Sequence, residues 1–426
     1  MNGKTLQIRG RLTSATFEKK FLEDLKFFWK QLNSEATLPI EFSIDLSELL
    51  WIDLLESMCL SITADWIMRN LPNSTPVFTI YTPNILLKED HFQKLLKFPI
   101  ENAKKTLDER IKTKSKHSTM RENVFHWCLW KWKLLHFIRS KQLSLYVLLE
   151  NQRYLWNDIL FTEETVSKPR IDPEKVLEIT SILERKDLPT IRGRIETALK
   201  KDLPNLPSEE IINFSHLVHR LCENICDHAY EVSDSLPKTG AVAIRYIGKS
   251  NKKTGLANMV DHKIKKYKIF LKDAQRKAFQ DLQIPERFHS FYEKYYDSPI
   301  FEIVVVDGGK GVYTTLNGAF KSHARREGKP FEVLQYAFEE GSTSKKINRT
   351  HEKEIGLGLF KVKEQTLRWD GIIEMRSCQS RITFSKDYKD GLPPDPNDQS
   401  KEITYFPGTQ LRVLIPAQNL GQLILF

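Results

Sequence analysis

The residues best suited to chemistry lie between 300 and 311, where an apolar run leads into a carboxylate and then into glycines (IFEIVVVDGGKG). The β-branched residues up to Val306 predict a buried strand that ends at Asp307. An ionised carboxylate only accepts hydrogen bonds, so Asp307 requires a donor such as the exocyclic amino group of adenine. The glycines that follow let the backbone approach a ligand closely and begin a loop. Taken alone, an Asp-Gly sequence after a strand is more often simply a turn.

Three further segments accompany this one in a definite order. Upstream, residues 216 to 230 (HLVHRLCENICDHAY) predict a helix that carries Asn224. Downstream, residues 355 to 359 read Ile-Gly-Leu-Gly-Leu, and residues 407 to 411 read Pro-Gly-Thr-Gln-Leu at the start of a predicted strand. An asparagine helix, Asp-x-Gly-x-Gly, Gly-x-Gly-Leu and Gly-Thr-x-Leu in this order resemble the GHKL superfamily, which includes gyrase, the heat-shock chaperone, histidine kinases and MutL-type ATPases.

The resemblance covers roughly residues 205 to 420. It implies an α/β (α+β) fold of the Bergerat type, a sandwich in which a mostly antiparallel sheet and the helices on one face hold ATP and Mg²⁺ between them. Asn224 is then the magnesium ligand, because its amide oxygen is a hard donor suited to an ion otherwise coordinated by phosphates and water. Asp307 would bind the adenine amino group, with Thr409 beside it.

Glycines and a lid complete the implied nucleotide site. The ATP lid is expected over residues 312 to 355, with Lys345 as a candidate phosphate contact. Two glycines would begin the lid and two would close it by presenting backbone amides to the phosphates. In chain order these glycines are Gly309, Gly311, Gly356 and Gly358.

One position departs from the family pattern. ATPases of this superfamily place a glutamate one helical turn before the magnesium-binding asparagine, where it orients the attacking water. Arg220 occupies that place here. Glu223 is the nearest carboxylate, but it is adjacent to Asn224 and therefore points about 100° away around the helix. Glu223 is thus the candidate catalytic residue, and slow ATP hydrolysis is expected.

The first 100 residues predict a separate small α/β domain. Its strands and helices are expected to alternate, in the order 6 to 12, 17 to 32, 40 to 46, 54 to 69 and 77 to 81. The segment from Phe42 to Ser47 (FSIDLS), followed by Trp51-Ile52-Asp53, resembles the STAS fold of anti-sigma-factor antagonists. Leucines follow Asp53 where that family has a phosphorylatable serine, so phosphorylation is not expected there. An unrelated small α/β domain is the alternative.

The remaining organisation follows from composition. Residues 101 to 204 predict a helical region that connects the first domain to the GHKL-type domain, residues 205 to 426. An insertion at residues 249 to 294 carries 12 Lys or Arg against 5 Asp or Glu, with apolar residues at helical spacing. This pattern fits either a solvated helical insertion or a basic surface for a partner or nucleic acid.

Overall composition predicts a soluble, cytoplasmic protein. The five cysteines are scattered without paired spacing, which favours reduced thiols. No apolar run reaches the ~18 to 20 residues that a membrane span needs, and the N-terminus lacks the apolar core of a signal peptide, so no membrane partner is expected. The formal charge of +10 permits an anionic partner.

These features lead to one functional hypothesis with two alternatives. The leading hypothesis is an ATP- and Mg²⁺-binding switch in bacterial signalling or antiviral defence, whose lid closure regulates a protein partner held by the N-terminal and helical regions. The first alternative is a protein kinase of the histidine-kinase or anti-sigma type that acts on a partner. The second is a nucleic-acid-associated ATPase similar to MutL or gyrase. A homodimer is compatible with each, although Pro189 and Pro204 argue against dimerisation helices with an acceptor histidine.

Overall fold

The structure is a computed structural model whose described residues form two compact units, one up to Tyr81 and one from Leu188 onward. The second unit has the α+β class, with helices packed on an antiparallel sheet. The residues described are 4–7, 10–12, 16–23, 42–45, 49–52, 55–56, 58–59, 79–81, 188–202, 206–228, 240–247, 285–295, 298, 300–342, 358–397 and 402–420.

Parallel strands make up the first unit. Three of them form a sheet in the order β1-β3-β5, and β2 pairs with β4. A short helical segment, Phe17–Leu22, buries Phe17 and Phe21, whose rings stack at 4.9 Å. The strands are β1 (Lys4–Gln7), β2 (Gly10–Leu12), β3 (Phe42–Asp45), β4 (Leu49–Ile52) and β5 (Thr79–Tyr81).

The first unit differs in detail from the sequence prediction. The single strand expected over residues 6 to 12 is two short strands that join different sheets. Strand β4 lies where the sequence suggested only the approach to a helix, because Leu49–Ile52 is an apolar run that pairs with β2. The predicted strands around residues 42 to 45 and 79 to 81 are confirmed.

The second unit is built on a five-stranded sheet in the order β6-β7-β10-β8-β9, in which every neighbouring pair is antiparallel. Its strands are β6 (Gly240–Ile247), β7 (Ile300–Asp307), β8 (Ile372–Cys378), β9 (Ser380–Phe384) and β10 (Phe406–Pro416). Its helices are α1 (Leu188–Asp202), α2 (Ser208–His228), α3 (His289–Tyr295), α4 (Gly311–Ala324), α5 (Pro330–Tyr336) and α6 (Gly358–Arg368).

One face of this sheet is apolar and lies under helices. Because side chains alternate along a strand, the antiparallel register assigns each residue to one face. Helices α2, α4 and α6 pack on the sheet, and the ring of Phe214 on α2 lies 4.9 Å from that of Phe301 on β7. The buried residues of this face include Val242, Ile244, Ile303, Val305, Ile373, Met375, Ile382, Leu411 and Val413.

The opposite face is also buried, and it mixes charged side chains with apolar ones such as Val304 and Leu414. Arg412 Nε donates to Glu302 Oε1 at 2.7 Å, and Glu374 is paired with Arg287 and Arg381. The turn Glu286–Phe288 covers this face, and Phe288 is only 1% exposed. The polar residues with little exposure are Glu302, Glu374, Arg376, Arg381, Thr383, Gln410 and Arg412.

Helices α2 and α6 run antiparallel. Near the end of α6, Trp369 Nε1 donates to Glu210 Oε2 at 2.8 Å, early in α2. At the start of α6, Gly358 lies against Asn224 in the last turns of α2. The first turn of α6 and the last turns of α2 therefore lie at the same end of the unit.

Several element bounds differ from those predicted. Helix α2 begins at Ser208, a little over two turns before the expected start at His216, and β10 begins at Phe406 rather than Leu411. Pro189 lies in the first turn of α1, where proline is tolerated, so it begins a helix. Helix α1 packs on α2 and belongs to the second unit.

The predicted lid contains packed structure. Its first part forms α4 and α5, which bury Leu316, Phe320 and Phe331. Residues 343–357 lie outside the described residues, as does the basic insertion before Pro285.

Two further findings bear on composition. The cysteines at 59, 222 and 378 are buried and form no disulfide. Within the part of the chain that the structure describes, no helix has the length and apolar character needed to cross a membrane.

Candidate functional site

A row of small and polar residues ends the apolar face of the sheet. Asp307, the last residue of β7, is aligned with Gly240 on one side and Thr409 on the other. Thr409 is aligned with Ser377, which is aligned with Ser380 at the start of β9. These five residues continue the helix-covered face, because each lies two positions along its strand from an apolar member of it. We call this line of residues the polar row.

Asp307 is buried in the polar row and has acceptor capacity to spare. Its Oδ1 accepts from the backbone N–H of Gly309 at 2.9 Å, and its carboxylate also accepts from the hydroxyl and backbone N–H of Thr409. A carboxylate has about four lone-pair sites, so one more donor can be accepted. Burial raises the pKa of Asp307 to about 6, although the hydrogen bonds from Gly309 and Thr409 lower it. The side chain is therefore mainly ionised at neutral pH.

Two glycines allow the backbone to pack closely around Asp307. Gly408 has φ +85°, and a Cβ there would lie 2.0 Å from the carbonyl oxygen of Asp307. Gly311 has φ +76°, and a Cβ there would lie 2.6 Å from Ser377 Oγ and 2.8 Å from the Gly408 carbonyl oxygen. Both positions therefore require glycine for conformation and for space. Gly311 also begins α4, so its position fixes the start of that helix against the polar row.

Asn224 faces the first turn of α6. A Cβ at Gly358 would lie 3.2 Å from Asn224 Oδ1 and 3.6 Å from its Nδ2. The Nδ2 atom is buried and has no hydrogen-bond partner among the described residues. A buried amide without a partner is costly, so a ligand that satisfies it would bind favourably. The first backbone N–H groups of α6 lie next to this amide and carry the positive end of the helix dipole.

Asn224 and the polar row lie toward the same end of the sandwich. Phe214 contacts Phe301, at the opposite end of β7 from Asp307. Asn224 is about 15 Å farther along α2, and Asp307 is about 20 Å farther along β7. Helix α6 leads to the same conclusion. Its last residues lie next to the start of β8, and β8 runs from there to the polar row, so the start of α6, beside Asn224, lies toward the polar row.

Glu223, the predicted catalytic residue, is paired on the surface of its own helix. Arg220 Nη1 donates to Glu223 Oε2 at 3.2 Å, and His219 Nε2 lies 3.6 Å from Glu223 Oε1. Burial lowers the pKa of His219, while Glu223 raises it. Both carboxylate oxygens are thus directed along α2 toward these side chains, and the role of Glu223 as a base stays a prediction.

The predicted site residues fall into three groups. Asp307, Gly309, Gly311 and Thr409 are brought together at the polar row. Asn224 and Gly358 are in contact with one another. Gly356 and Lys345 lie outside the described residues, so nothing tests them.

Three residues of the polar row were not predicted. Gly240, Ser377 and Ser380 reach Asp307 only through strand pairing between segments far apart in the chain. For Ser377 and Ser380 the signal was the close spacing of two apolar strands around residue 379, which is typical of a hairpin. Nothing in the local sequence distinguishes Gly240.

The described donors suit a magnesium ion held mainly by a bound ligand. Among the residues that the structure places, no three His, Cys, Asp or Glu side chains are grouped so that they could hold a metal ion. The Asn224 amide would contribute a single oxygen, and phosphate oxygens and water would supply the rest of an octahedral shell. Gly358 brings the start of α6 close to that amide, since a Cβ there would lie only 3.2 Å from Asn224 Oδ1.

Comparison with known proteins gives no relative. No protein-family model, no curated protein and no solved structure matches the chain.

Proposed function

We propose that the second unit binds ATP with Mg²⁺ in the manner of GHKL proteins and has the Bergerat-type fold. The observation that carries the proposal is the placement of Asp307 and Asn224 toward one end of the sandwich, on the sheet and on the helix layer above it. Asp307 offers a free acceptor above an apolar floor, as adenine requires. Asn224 offers a buried Nδ2 donor without a partner among the described residues, beside a helix N-terminus, which suits a phosphate oxygen, while its Oδ1 is the atom that could coordinate Mg²⁺.

Each group has a distinct task in this proposal. Asp307 accepts a hydrogen bond from the adenine amino group and is held in place by Thr409 and Gly309. The apolar face of the sheet excludes water beneath the base. Asn224 supplies one oxygen to Mg²⁺, and the backbone amides at the start of α6 face the phosphates. When bound, Mg²⁺ neutralises the phosphate charge and holds the triphosphate in one geometry.

Calorimetric titration of Asp307→Asn with Mg-ATP tests the adenine contact. Loss of a hydrogen bond to a charged group costs about 1.5 to 3 kcal/mol, so affinity should fall about 10- to 100-fold and the preference for ATP over GTP should shrink. Asp387→Asn, the same change at an exposed carboxylate, is the matched control and should leave affinity unchanged. Equal affinity of the wild type and Asp307→Asn would rule out this role.

Asn224→Ala tests the metal contact. Affinity for Mg-ATP should fall at least about ten-fold, while affinity for ATP in the presence of a chelator should change little. Gln335→Ala, which removes an exposed amide from α5, is the control. A uniform loss with and without Mg²⁺ would mean that Asn224 supports the fold and does not bind the metal.

We further propose that nucleotide binding acts mainly as a switch and that hydrolysis is slow. Arg220 occupies the place of the usual glutamate and holds Glu223 at 3.2 Å. Arg220→Glu should therefore raise the rate of phosphate release, measured with γ-labelled ATP. Label that appears on a co-purified protein would instead favour the kinase alternative, and DNA binding that weakens steeply with salt would favour the nucleic-acid alternative.

The first unit belongs to the proposal as the partner-binding part. Its parallel sheet β1-β3-β5 is compatible with a STAS-like domain, and a stand-alone GHKL protein is expected to work with a partner. We place the protein in bacterial signalling or defence on this basis. Co-purification of the first 200 residues with a cellular protein, and its loss or gain when Mg-ATP is added, tests the assignment.

A further inference from the structure

Helix α3, the end of the basic insertion, is attached to the turn that ends α6. Lys294 Nζ donates to Asp370 Oδ2 at 2.5 Å, and the Tyr295 hydroxyl donates to the same oxygen. Asp370 follows α6 and has φ 57°, which turns the chain back toward β8. The insertion is therefore fixed to the junction between a helix and a strand of the core.

The same junction has partners from two other elements. The Trp369 indole donates to Glu210 on α2 at 2.8 Å. Asn419 Nδ2 donates to the Trp369 carbonyl oxygen at 2.9 Å and lies 3.1 Å from the Tyr295 hydroxyl oxygen. Gly371 approaches the sheet so closely that a Cβ there would lie 2.6 Å from the carbonyl oxygen of Leu414. The junction is thus held by several elements, and α3 is the one that belongs to the insertion.

A second attachment joins the insertion to β8. Arg287, at the turn before α3, is paired with Glu374, and its Nη2 donates to Glu374 Oε1 at 3.0 Å. Glu374 lies four residues after Asp370. Both attachments therefore act on the same stretch of chain, the end of α6 and the start of β8.

Helix α6 connects this junction to Asn224. Its 11 residues span about 16 Å, and Val362 and Thr366 are buried along it. Its first residue, Gly358, contacts Asn224, while its last turn leads to Asp370. A helix packed on both sides moves as a rigid element, so displacement at one end is felt at the other.

We propose that α6 couples the basic insertion to the nucleotide site. The insertion holds the end of α6, and the start of α6 positions the backbone amides beside Asn224. Nucleotide affinity therefore depends on how α3 packs against the end of α6. Because coupling free energies are reciprocal, nucleotide binding changes the packing equilibrium of α3 by the same free energy. This coupling rests on the proposed function, and its test includes a measurement that does not need nucleotide.

The test uses the double variant Lys294→Ala with Tyr295→Phe. Lys294 has a side chain that is 62% exposed, and Tyr295→Phe removes a single hydroxyl, so the fold should persist. Ser290→Ala is the matched control, because Ser290 lies on the same helix but donates to Asp387 at 3.1 Å and not to the junction.

Two measurements are made on each protein. In calorimetry the double variant should bind Mg-ATP at least about five-fold more weakly than the wild type, and Ser290→Ala should not differ. Without nucleotide, amide hydrogen exchange in residues 221 to 228 of α2 should be at least about three-fold faster in the double variant alone. Those amides lie in the segment that carries Asn224, next to the other end of α6.

The outcomes are separable. Exchange and affinity equal to those of Ser290→Ala would overturn the coupling. If the wild type binds no nucleotide, the proposed function fails, and the exchange result alone decides whether α6 transmits a change from α3 to Asn224.

Discussion

The two faces of the second sheet bury their side chains in different ways. The face under α2, α4 and α6 is apolar and ends in the polar row, where Asp307 keeps acceptor capacity. The other face satisfies its charges internally, through the Arg412–Glu302 pair and the pairs of Glu374. One face therefore ends in a carboxylate with acceptor capacity for a ligand, whereas the other uses charged pairs to hold chain segments together, although Gln410 Nε2 on that face is buried without a partner among the described residues. Charge and burial alone do not mark a functional site.

The pKa values of the two buried carboxylates express this difference. Burial raises the pKa of Asp307 to about 6, because Gly309 and Thr409 only partly compensate. Burial also raises that of Glu374, but the attraction of Arg287 and Arg381 outweighs it and lowers the pKa to about 2. A perturbed carboxylate without a cationic partner is the better candidate for function. The predictions below test this distinction.

The largest effect is expected at Glu374. Glu374→Gln removes the carboxylate that pairs with Arg287 and Arg381 in a buried place, which should cost about 3 to 5 kcal/mol in the free energy of unfolding. Denaturant unfolding at pH 7 measures it. The pKa of Glu374 is lower in the folded protein, about 2, than its ordinary value of 4.5. Its charge pairs therefore stabilise the fold fully above pH 4.5, and this stabilisation is lost as the pH falls through about 2. A cost below about 1 kcal/mol would mean that this face is not held by charge.

A smaller but still large effect is expected at Gly408. Gly408→Ala combines a positive φ with a Cβ that would overlap the Asp307 backbone, so it should cost about 2 to 3 kcal/mol and abolish nucleotide binding. Gly318→Ala is the control, because Gly318 lies in α4 with no neighbouring atom within 4 Å. That change should stabilise the protein by up to about 1 kcal/mol. Thermal unfolding of both variants gives the comparison.

Much of this arrangement was predictable from the sequence. Asp307 and its glycines were identified because a β-branched run that ends in a carboxylate and glycine is a local pattern. The helix with Asn224 followed from the local sequence, whereas the antiparallel sheet was expected only from the family resemblance. The contact of Asn224 with Gly358 was not predictable from spacing, because 134 residues separate them in the chain.

The polar face could not be predicted. Glu302, Glu374 and Arg412 alternate with apolar residues, and such alternation normally indicates a solvent-exposed face. Their burial depends on the turn Glu286–Phe288, which comes from the basic insertion. Sequence patterns record polarity, but they do not record which distant segment covers a polar strand face.

The pH dependence of Asp307 gives an intermediate effect. Its folded pKa of about 6 lies above the ordinary 3.8, so folded protein binds this proton more tightly than the unfolded chain does. The burial cost, up to about 3 kcal/mol, is therefore present above pH 6 and is relieved as the pH falls toward 4. Asp307→Asn should raise the free energy of unfolding by about 1 to 2 kcal/mol at pH 8 and by less at pH 5. Wild-type ATP affinity should fall as the pH drops through 6, and opposite trends would contradict the assignment.

The smallest effect is expected outside both faces. Glu332 and Arg326 form an exposed pair at 2.7 Å, and hydrogen bonding from Arg326, opposed by burial, lowers the pKa of Glu332 to about 2. Solvent screens this pair, so Glu332→Gln should cost less than about 1 kcal/mol despite the large pKa shift. The free energies of unfolding of Glu332→Gln and Glu374→Gln are compared at pH 7. An equal loss in both variants would show that burial does not determine how much an ion pair stabilises the fold.

The strand register has a consequence for how the gene can change. Asp307 and Glu302 face opposite sides of one strand, so deleting or duplicating one codon within Ile300–Asp307 would carry the carboxylate from the helix layer to the arginine layer. Length variation there should be tolerated only in steps of two codons or beyond the strand ends. The irregular pairing between Phe406 and Thr409 agrees with this rule, because β10 advances three residues there while β8 advances one, and the two extra residues keep every side chain on its own face.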